Sequence, residues 1–151
     1  MTAASSLLVE TATPAKEVDT ICVKNMINGL DKFNIWFYFE DLDHSSGATT
    51  TTNPIGLGQE LCMGLANYDP GNTQKGDRIN TVVQLIAQQI AEGDTTLIYN
   101  GANPKGDADA VKGHFVCQGP RSNDITCSLV GTSTHGVFAG IPGKESLQLW
   151  I

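Results

Sequence analysis

The segment Phe33–Phe39, FNIWFYF, constrains the fold of this chain more than any other part of the sequence. Its side chains alternate, so that the isoleucine and the two later phenylalanines fall on one face of a strand. That face is wholly apolar and predicts a strand packed on a core. The other face carries Trp36 and Tyr38, with Asn34 before them and Glu40 after them. The segment therefore predicts a sheet with one buried face and one amphipathic, aromatic face.

Short apolar runs separated by turn residues recur along the rest of the chain. Gly is abundant at 16 of 151 residues, and turn signals such as Asn28-Gly29 punctuate the runs. This spacing predicts an all-β fold, an antiparallel β-sandwich, formed by residues 18–151 as a single domain. The other predicted strands are Thr20–Met26, Gly58–Leu65, Arg78–Ala91, His114–Gln118, Ile125–Val130, Gly136–Ile141 and Ser146–Ile151.

Two segments leave alternatives open. Residues 79–91 also fit the apolar stripe of one short helix, with Gly93 just after its end. Residues 1–17 are small and polar and predict either a mobile tail or an edge strand, with Ser6–Glu10 as the strand candidate.

The chain has four cysteines, at positions 22, 62, 117 and 127. Cys117 and Cys127 flank the polar turn GPRSND, which places them across one hairpin, and Cys22 and Cys62 then pair by elimination. Four spaced cysteines in an acidic chain rich in Gly, Thr and Asn predict disulfides and a secreted protein. Four free thiols in a cytosolic protein are the alternative. The first residues lack the features of a signal peptide, so secretion requires a leader absent from this chain.

The formal net charge of −7 limits the classes of partner. The basic residues lie singly along the sequence, so neither a nucleic acid nor an anionic membrane is an expected partner. A neutral membrane surface stays open.

The outward aromatic face is the main candidate for a binding site. Trp36 and Tyr38 stand two residues apart and form a platform on which the C–H face of a sugar ring can stack. Asn34, Glu40 and His44 supply polar groups beside it. The expected function is therefore that of a non-enzymatic, lectin-like protein that binds a glycan or other small ligand, and that self-associates to gain avidity. The alternatives are a membrane-active toxin or defence protein and a self-associating structural module in which both rings are buried.

The sequence offers weak candidates for a metal site. Asp41 and Asp43 lie in a polar loop after the aromatic strand, and oxygen-rich loops of this kind bind Ca²⁺. The EF-hand pattern is missing, and no cofactor is expected.

No catalytic motif stands out either, so the chain is not expected to be an enzyme. In the segment that most resembles a nucleophile elbow, His135 replaces the second glycine after Ser133. A small hydrolase or nuclease that uses His44 or His114, with Glu40 and Arg121, is the remaining alternative.

Four features together loosely resemble small secreted β-sandwich proteins of fungi and other microbes, such as lectins and pore-forming-toxin-like domains. They are a K-N turn (Lys24-Asn25) after an early Cys strand, the aromatic strand, the strand GQELC and the late hairpin FVC…TC. The resemblance implies a secreted sandwich and transfers no functional residues.

Overall fold

The computed structural model of the chain describes residues 16–28, 33–44, 53–68, 72–86 and 88–151. Within these residues the fold is built from strands joined by turns and short helices. The strands are β1 (Glu17–Val18), β2 (Thr20–Asn25), β3 (Trp36–Asp41), β4 (Glu60–Gly64), β5 (Arg78–Leu85), β6 (Gln88–Glu92), β7 (Leu97–Tyr99), β8 (Val111–Gln118), β9 (Thr126–Thr134) and β10 (Val137–Gly140). The helices are α1 (Leu65–Tyr68), a 3₁₀ turn (Asp107–Asp109) and α2 (Glu145–Gln148).

The strands form two sheets that pack face to face around one main core. Sheet A has the order β1-β7-β5-β3, with β6 also paired to β5, and sheet B has the order β10-β9-β8-β2-β4. Both sheets contribute fully buried side chains to the core, such as Phe37 from sheet A and Phe115 from sheet B. The predicted all-β sandwich is confirmed. None of the helices in the described ranges is long and apolar enough to cross a membrane.

The sheets are mixed rather than wholly antiparallel. Strand β1 pairs with β7 in parallel, and β2 pairs with β8 in parallel, while the other pairs are antiparallel. Only strands joined by a tight turn must run antiparallel, and these two pairs join distant parts of the chain. The alternation of residues within a strand carries no information about the direction of such distant partners.

The segment 78–92 is β-structure, as predicted, and the helix alternative is wrong, but it forms a hairpin of two strands and not the single strand Arg78–Ala91. Strands β5 and β6 pair antiparallel, with a register irregularity between Val83 and Gln84. At the turn Ile86 has a φ of 55°, in the left-handed region that a helix interior does not contain.

The predicted strand Ser146–Ile151 is wrong, because this segment forms the helix α2 and a terminal turn. Leu147 and Trp150 lie three residues apart and therefore point to the same side of a helical turn. They pack on Val116 and Val130, on the face of sheet B that points away from the main core. The Lys24 ammonium donates a hydrogen bond to the Trp150 carbonyl and holds this terminus in place.

Residues 1–17, predicted as a mobile tail or an edge strand, are described only from residue 16 onwards. Ser6–Glu10 lies outside the described residues. Glu17 and Val18 form β1, the edge strand of sheet A, and Val18 is fully buried. Strands β8 and β9 confirm the predictions near the C-terminus and are longer, since β8 begins at Val111 and β9 continues to Thr134.

Both disulfides form with the predicted pairing. Cys22 and Cys62 are direct cross-strand partners on β2 and β4, and Cys117 and Cys127 are direct partners on β8 and β9. All four cysteines lie in sheet B, and no described cysteine is free. The two bonds therefore hold together four of the five strands of this sheet.

Candidate functional site

The outward side of sheet A carries the residues that the alternation of the aromatic strand predicted. Trp36, Tyr38 and Glu40 point to this side, while Phe37 and Phe39 between them are buried in the core. Strand β5 lies beside β3. Its register pairs Trp36 with Gln84, Tyr38 with Val82 and Glu40 with Asn80. We call the outward group of Trp36, Tyr38, Glu40, Asn80 and Gln84 the aromatic face.

Trp36 and Tyr38 of the aromatic face are both half-buried, so part of each side chain is exposed. Val82, the cross-strand partner of Tyr38 on the same side of the sheet, is fully buried. The pKa of Tyr38 is raised by burial and also by the charges of Glu40 and Glu92. Two carboxylates therefore lie close to the phenol, and this rim of the face is negative.

The polar groups of the aromatic face are only partly satisfied by one another. Asn80 Nδ2 donates a hydrogen bond of 2.9 Å to Glu40 Oε1. Gln84 Oε1 is buried and has no hydrogen-bond partner in the described parts of the chain. A buried acceptor without a donor costs about 1–3 kcal/mol. Asn34 is exposed and lies two residues before Trp36.

His44 does not join the aromatic face but forms a separate polar cluster at the end of β3. Its Nδ1 lies 2.7 Å from Oδ2 of Asp77, a buried residue in the turn that precedes β5. Asp77 Oδ2 also accepts the backbone N–H of Gln74 at 2.9 Å. The sequence placed His44 with the sugar platform because it follows the strand, but its partner comes from a different loop.

The predicted metal candidates Asp41 and Asp43 are divided between two interactions. Asp43 forms a bidentate pair with Arg78, with an Nη2–Oδ1 distance of 2.8 Å, and this pair lowers the pKa of Asp43. Asp41 instead lies against Asp77 and accepts the backbone N–H groups of Asp43 and His44.

Asp41, His44 and Asp77 are the described residues at this end of β3 that could hold a cation, with ligand atoms within 4.8 Å of one another. Burial raises the pKa of Asp41, and its contact with Asp77 raises it further. Burial of Asp77 opposes ionisation, but hydrogen bonds from Asp41, Gln74 and His44 lower its pKa. Asp41 Oδ2 itself is buried and has no hydrogen-bond partner within the described residues.

A second polar group, on the outward side of sheet B, was not predicted from the sequence. His114 on β8 lies with its Nδ1 3.1 Å from Glu60 Oε2 and its Nε2 2.8 Å from Ser133 Oγ. Glu60 belongs to β4 and Ser133 to β9, so three strands contribute one side chain each. We call Glu60, His114 and Ser133 the polar array. His114 is 6% exposed, and the array is therefore shielded at its centre.

Phe138 on β10 covers one side of the array. Its ring lies edge-on to His114, with 5.9 Å between the ring centroids. A Cβ on Gly131 would come within 2.3 Å of Phe138 Cζ and 2.5 Å of the Ala139 carbonyl oxygen. Gly131 is therefore needed for the ring to lie against β9 and to exclude water from His114.

The hydrolase residues suggested by the sequence do not converge. His44 is bonded to Asp77 near sheet A, whereas His114 is bonded to Glu60 and Ser133 on sheet B. Arg121 is exposed in the turn between β8 and β9. The sequence could not identify the true partners of His114, because Glu60 lies 54 residues and Ser133 lies 19 residues away along the chain.

We expect replacement of Glu60 by Gln to destabilise the protein at neutral pH. The hydrogen bond from His114 lowers the pKa of Glu60, partial burial opposes this, and the charges of His114, Lys24 and Lys112 add to the lowering. The stabilisation that the Glu60 carboxylate provides is therefore complete above its usual pKa of 4.5. It is lost as the pH falls through the lower pKa that Glu60 has in the folded protein. At pH 7 the loss should be about 1–2 kcal/mol, reduced because the carboxylate is partly exposed.

Urea unfolding of the wild type and Glu60→Gln, at a series of pH values, measures this difference. The gap between the two proteins should shrink as the pH falls below about 4.5. Glu17→Gln removes the same charge from an exposed residue of β1 and serves as the control. A gap that stays constant down to pH 3 contradicts the prediction.

No protein-family model matches the chain. No curated protein matches it either. Among solved structures, the chain is similar to the NMR structure of a protein from Eubacterium rectale, with 14% identity and a TM-score of 0.38. That match covers 78% of this chain and 93% of the other chain. The fold itself defines a β-sandwich with two disulfides.

Proposed function

We propose that the aromatic face binds glycans. The observation that carries this proposal is the pair of half-buried rings, Trp36 and Tyr38, lying side by side along one strand on the outside of the sandwich. A sugar ring presents an apolar C–H face to an aromatic ring and hydroxyl groups at its edge. The carboxylate of Glu40 and the amides of Asn80 and Gln84 lie on the same side and supply acceptors and donors for those hydroxyls.

The charges around the rings favour a neutral sugar. Glu40 and Glu92 both raise the pKa of Tyr38, so their negative charges lie near the phenol. An anionic sugar would be repelled by them, whereas neutral hydroxyls can donate hydrogen bonds to them. The same carboxylates disfavour insertion of this face into a membrane, because both charges would have to leave water.

We expect Trp36→Ala to weaken binding of a neutral oligosaccharide by at least about tenfold, which is about 1.4 kcal/mol. The reason is the loss of the ring on which the sugar stacks. Titration of the purified protein with a panel of neutral oligosaccharides, followed by tryptophan fluorescence and calorimetry, measures the affinity. Trp150→Phe is the matched control, since Trp150 packs in a separate cluster at the C-terminus.

Three further results decide whether this face binds a glycan or contacts another copy of the chain. Iodide should quench the fluorescence of Trp36 in the free protein, and bound sugar should protect it. Binding to no member of the panel refutes the proposal. A fall in molecular mass on Trp36→Ala, seen by light scattering, identifies the face as a contact between copies of the chain instead.

A further inference from the structure

The polar array has the geometry of an activated serine. A nucleophile needs a base within hydrogen-bond reach, and the base needs a third group that orients it. Ser133 Oγ lies 2.8 Å from Nε2 of His114, and the opposite ring nitrogen lies 3.1 Å from Glu60 Oε2. Both distances fall within or at the edge of normal hydrogen bonds, and the two contacts use the two nitrogens of one imidazole.

The direction of the hydrogen bonds follows from the chemistry of the three groups. The hydrogen bond from His114 lowers the pKa of Glu60, so this carboxylate is ionised at neutral pH and can only accept. Nδ1 of His114 therefore carries the proton that it donates to Glu60. When the ring carries only this proton, Nε2 is an acceptor and the Ser133 hydroxyl donates to it. This is the tautomer that allows His114 to take the serine proton.

Ser133 also has access to a ligand. It is half-buried and lines a cleft of about 270 Å³ together with Lys112, His135 and Gly136. The turn at His135 and Gly136 has φ values of 51° and 77° and forms one wall. The volume is near the lower end of the range for small-molecule sites, and it suits a small acyl group.

Lys112 brings positive charge to the same cleft. It is the direct cross-strand partner of Ser133, so both side chains point to the outward side of sheet B. Its ammonium lies 2.9 Å from Asp107 Oδ2 and only 16% of its side chain is exposed. A cation held beside a serine can stabilise an oxyanion that forms there.

We propose that Ser133 is the nucleophile of an acyl-transfer site that hydrolyses small esters, with His114 as its base and Glu60 as the group that orients His114. Ser133 Oγ bonds to the acyl carbon while its proton passes to Nε2 of His114. The bond from the acyl carbon to the alcohol oxygen then breaks, and the alcohol leaves with that proton. Water attacks the acyl-serine ester, gives a proton to Nε2, and displaces Ser133, which regains the proton as the carboxylic acid leaves.

This site differs from the serine pattern tested in the sequence. Ser133 lies within strand β9 and not on a sharp turn between a strand and a helix. Its neighbours in the sequence therefore do not form a nucleophile elbow. Activation of the Ser133 hydroxyl depends only on side chains from neighbouring strands.

A fluorophosphonate probe tests the proposal directly on the oxidised, full-length chain. An activated serine displaces fluoride from phosphorus and forms a stable bond that mass spectrometry locates. We expect the wild type to be labelled at Ser133 and Ser133→Ala to be unlabelled. His114→Gln should label at least about 100-fold more slowly, because it removes the base. The wild type should also release a burst of one p-nitrophenol per chain from p-nitrophenyl acetate.

The controls separate an activated serine from a hydrogen-bonded serine that merely links strands. Ser128→Ala changes another serine of β9, paired with Val116, and should label as the wild type does. Urea-unfolded wild type should not label. If His114→Gln fails to fold, as judged by circular dichroism, Glu60→Gln takes its place. Labelling that is absent, that maps elsewhere, or that is equal in wild type and in a folded array variant overturns the proposal.

The two sites can fail separately. Ser133→Ala leaves the aromatic face intact, and Trp36→Ala leaves the polar array intact, because the sites lie on the outer sides of different sheets. Loss of glycan binding therefore says nothing against Ser133, and loss of labelling says nothing against Trp36.

Discussion

Removal of the Cys22–Cys62 disulfide by the paired change to Ala is expected to lower the free energy of unfolding by about 4 kcal/mol. The bond joins residues 40 apart in the sequence, so it restricts a long loop of the unfolded chain. The Cys117–Cys127 bond joins residues only 10 apart, and its removal should cost about 3 kcal/mol by the same chain-entropy argument.

Urea unfolding of the two paired variants, compared with the wild type, measures both losses. The variant that opens the longer loop should unfold at the lower urea concentration. The two losses sum to about 7 kcal/mol, which is comparable to the whole stability of many domains. A strong thiol reductant should therefore unfold most of the protein at room temperature. A reduced protein that keeps its full stability contradicts this account.

The same bond also supports the polar array. Cys22 on β2 is the direct partner of Cys62 on β4 and of His114 on β8. Glu60 reaches across β2 to His114, so the bond fixes the strand from which Glu60 extends. We therefore expect the variant that lacks this disulfide to label more slowly at Ser133, even at temperatures where it is folded.

The sequence was sufficient where local pattern determines structure. Alternation in Phe33–Phe39 predicted which side chains are buried and which face outward, because the period of a strand is two residues. The turn between Cys117 and Cys127 predicted a hairpin and hence their disulfide. The same reasoning gave a wrong strand prediction for the segment after Gly143. An apolar run this short has no clear period, and Leu147 and Trp150 also fit one side of a helical turn.

The polar array could not be predicted because it depends on which strands are neighbours. Strand β2 lies between β8 and β4 in sheet B, and this order brings Glu60 to His114. No local signal gives that order, since β2 and β8 are distant in sequence and parallel. The aromatic face was predicted only as far as its own strand. Its partners Asn80 and Gln84 come from β5, whose register with β3 the sequence does not contain.

Adjacent residues on β3 are expected to respond very differently to truncation, and this contrast tests the assignment of its two faces. Phe37 is fully buried and its ring lies edge-on to Phe39, with 5.6 Å between the centroids. Phe37→Ala should therefore lower the free energy of unfolding by about 3–5 kcal/mol, since it removes a large core side chain and leaves a cavity. Trp36 is larger but half-buried, and Trp36→Ala should cost only about 1 kcal/mol.

Urea unfolding followed by far-ultraviolet circular dichroism measures both variants without relying on tryptophan fluorescence. If Trp36→Ala costs as much as Phe37→Ala, the Trp36 ring is a packing element under a further layer, and the platform for a sugar is lost. If the order is as expected, a ring larger than any in the core has been kept on the outside of the sandwich at little gain in stability. Stability then does not explain the side chain at position 36, and the physical reason for it must be a contact with a ligand or with a second copy of the chain.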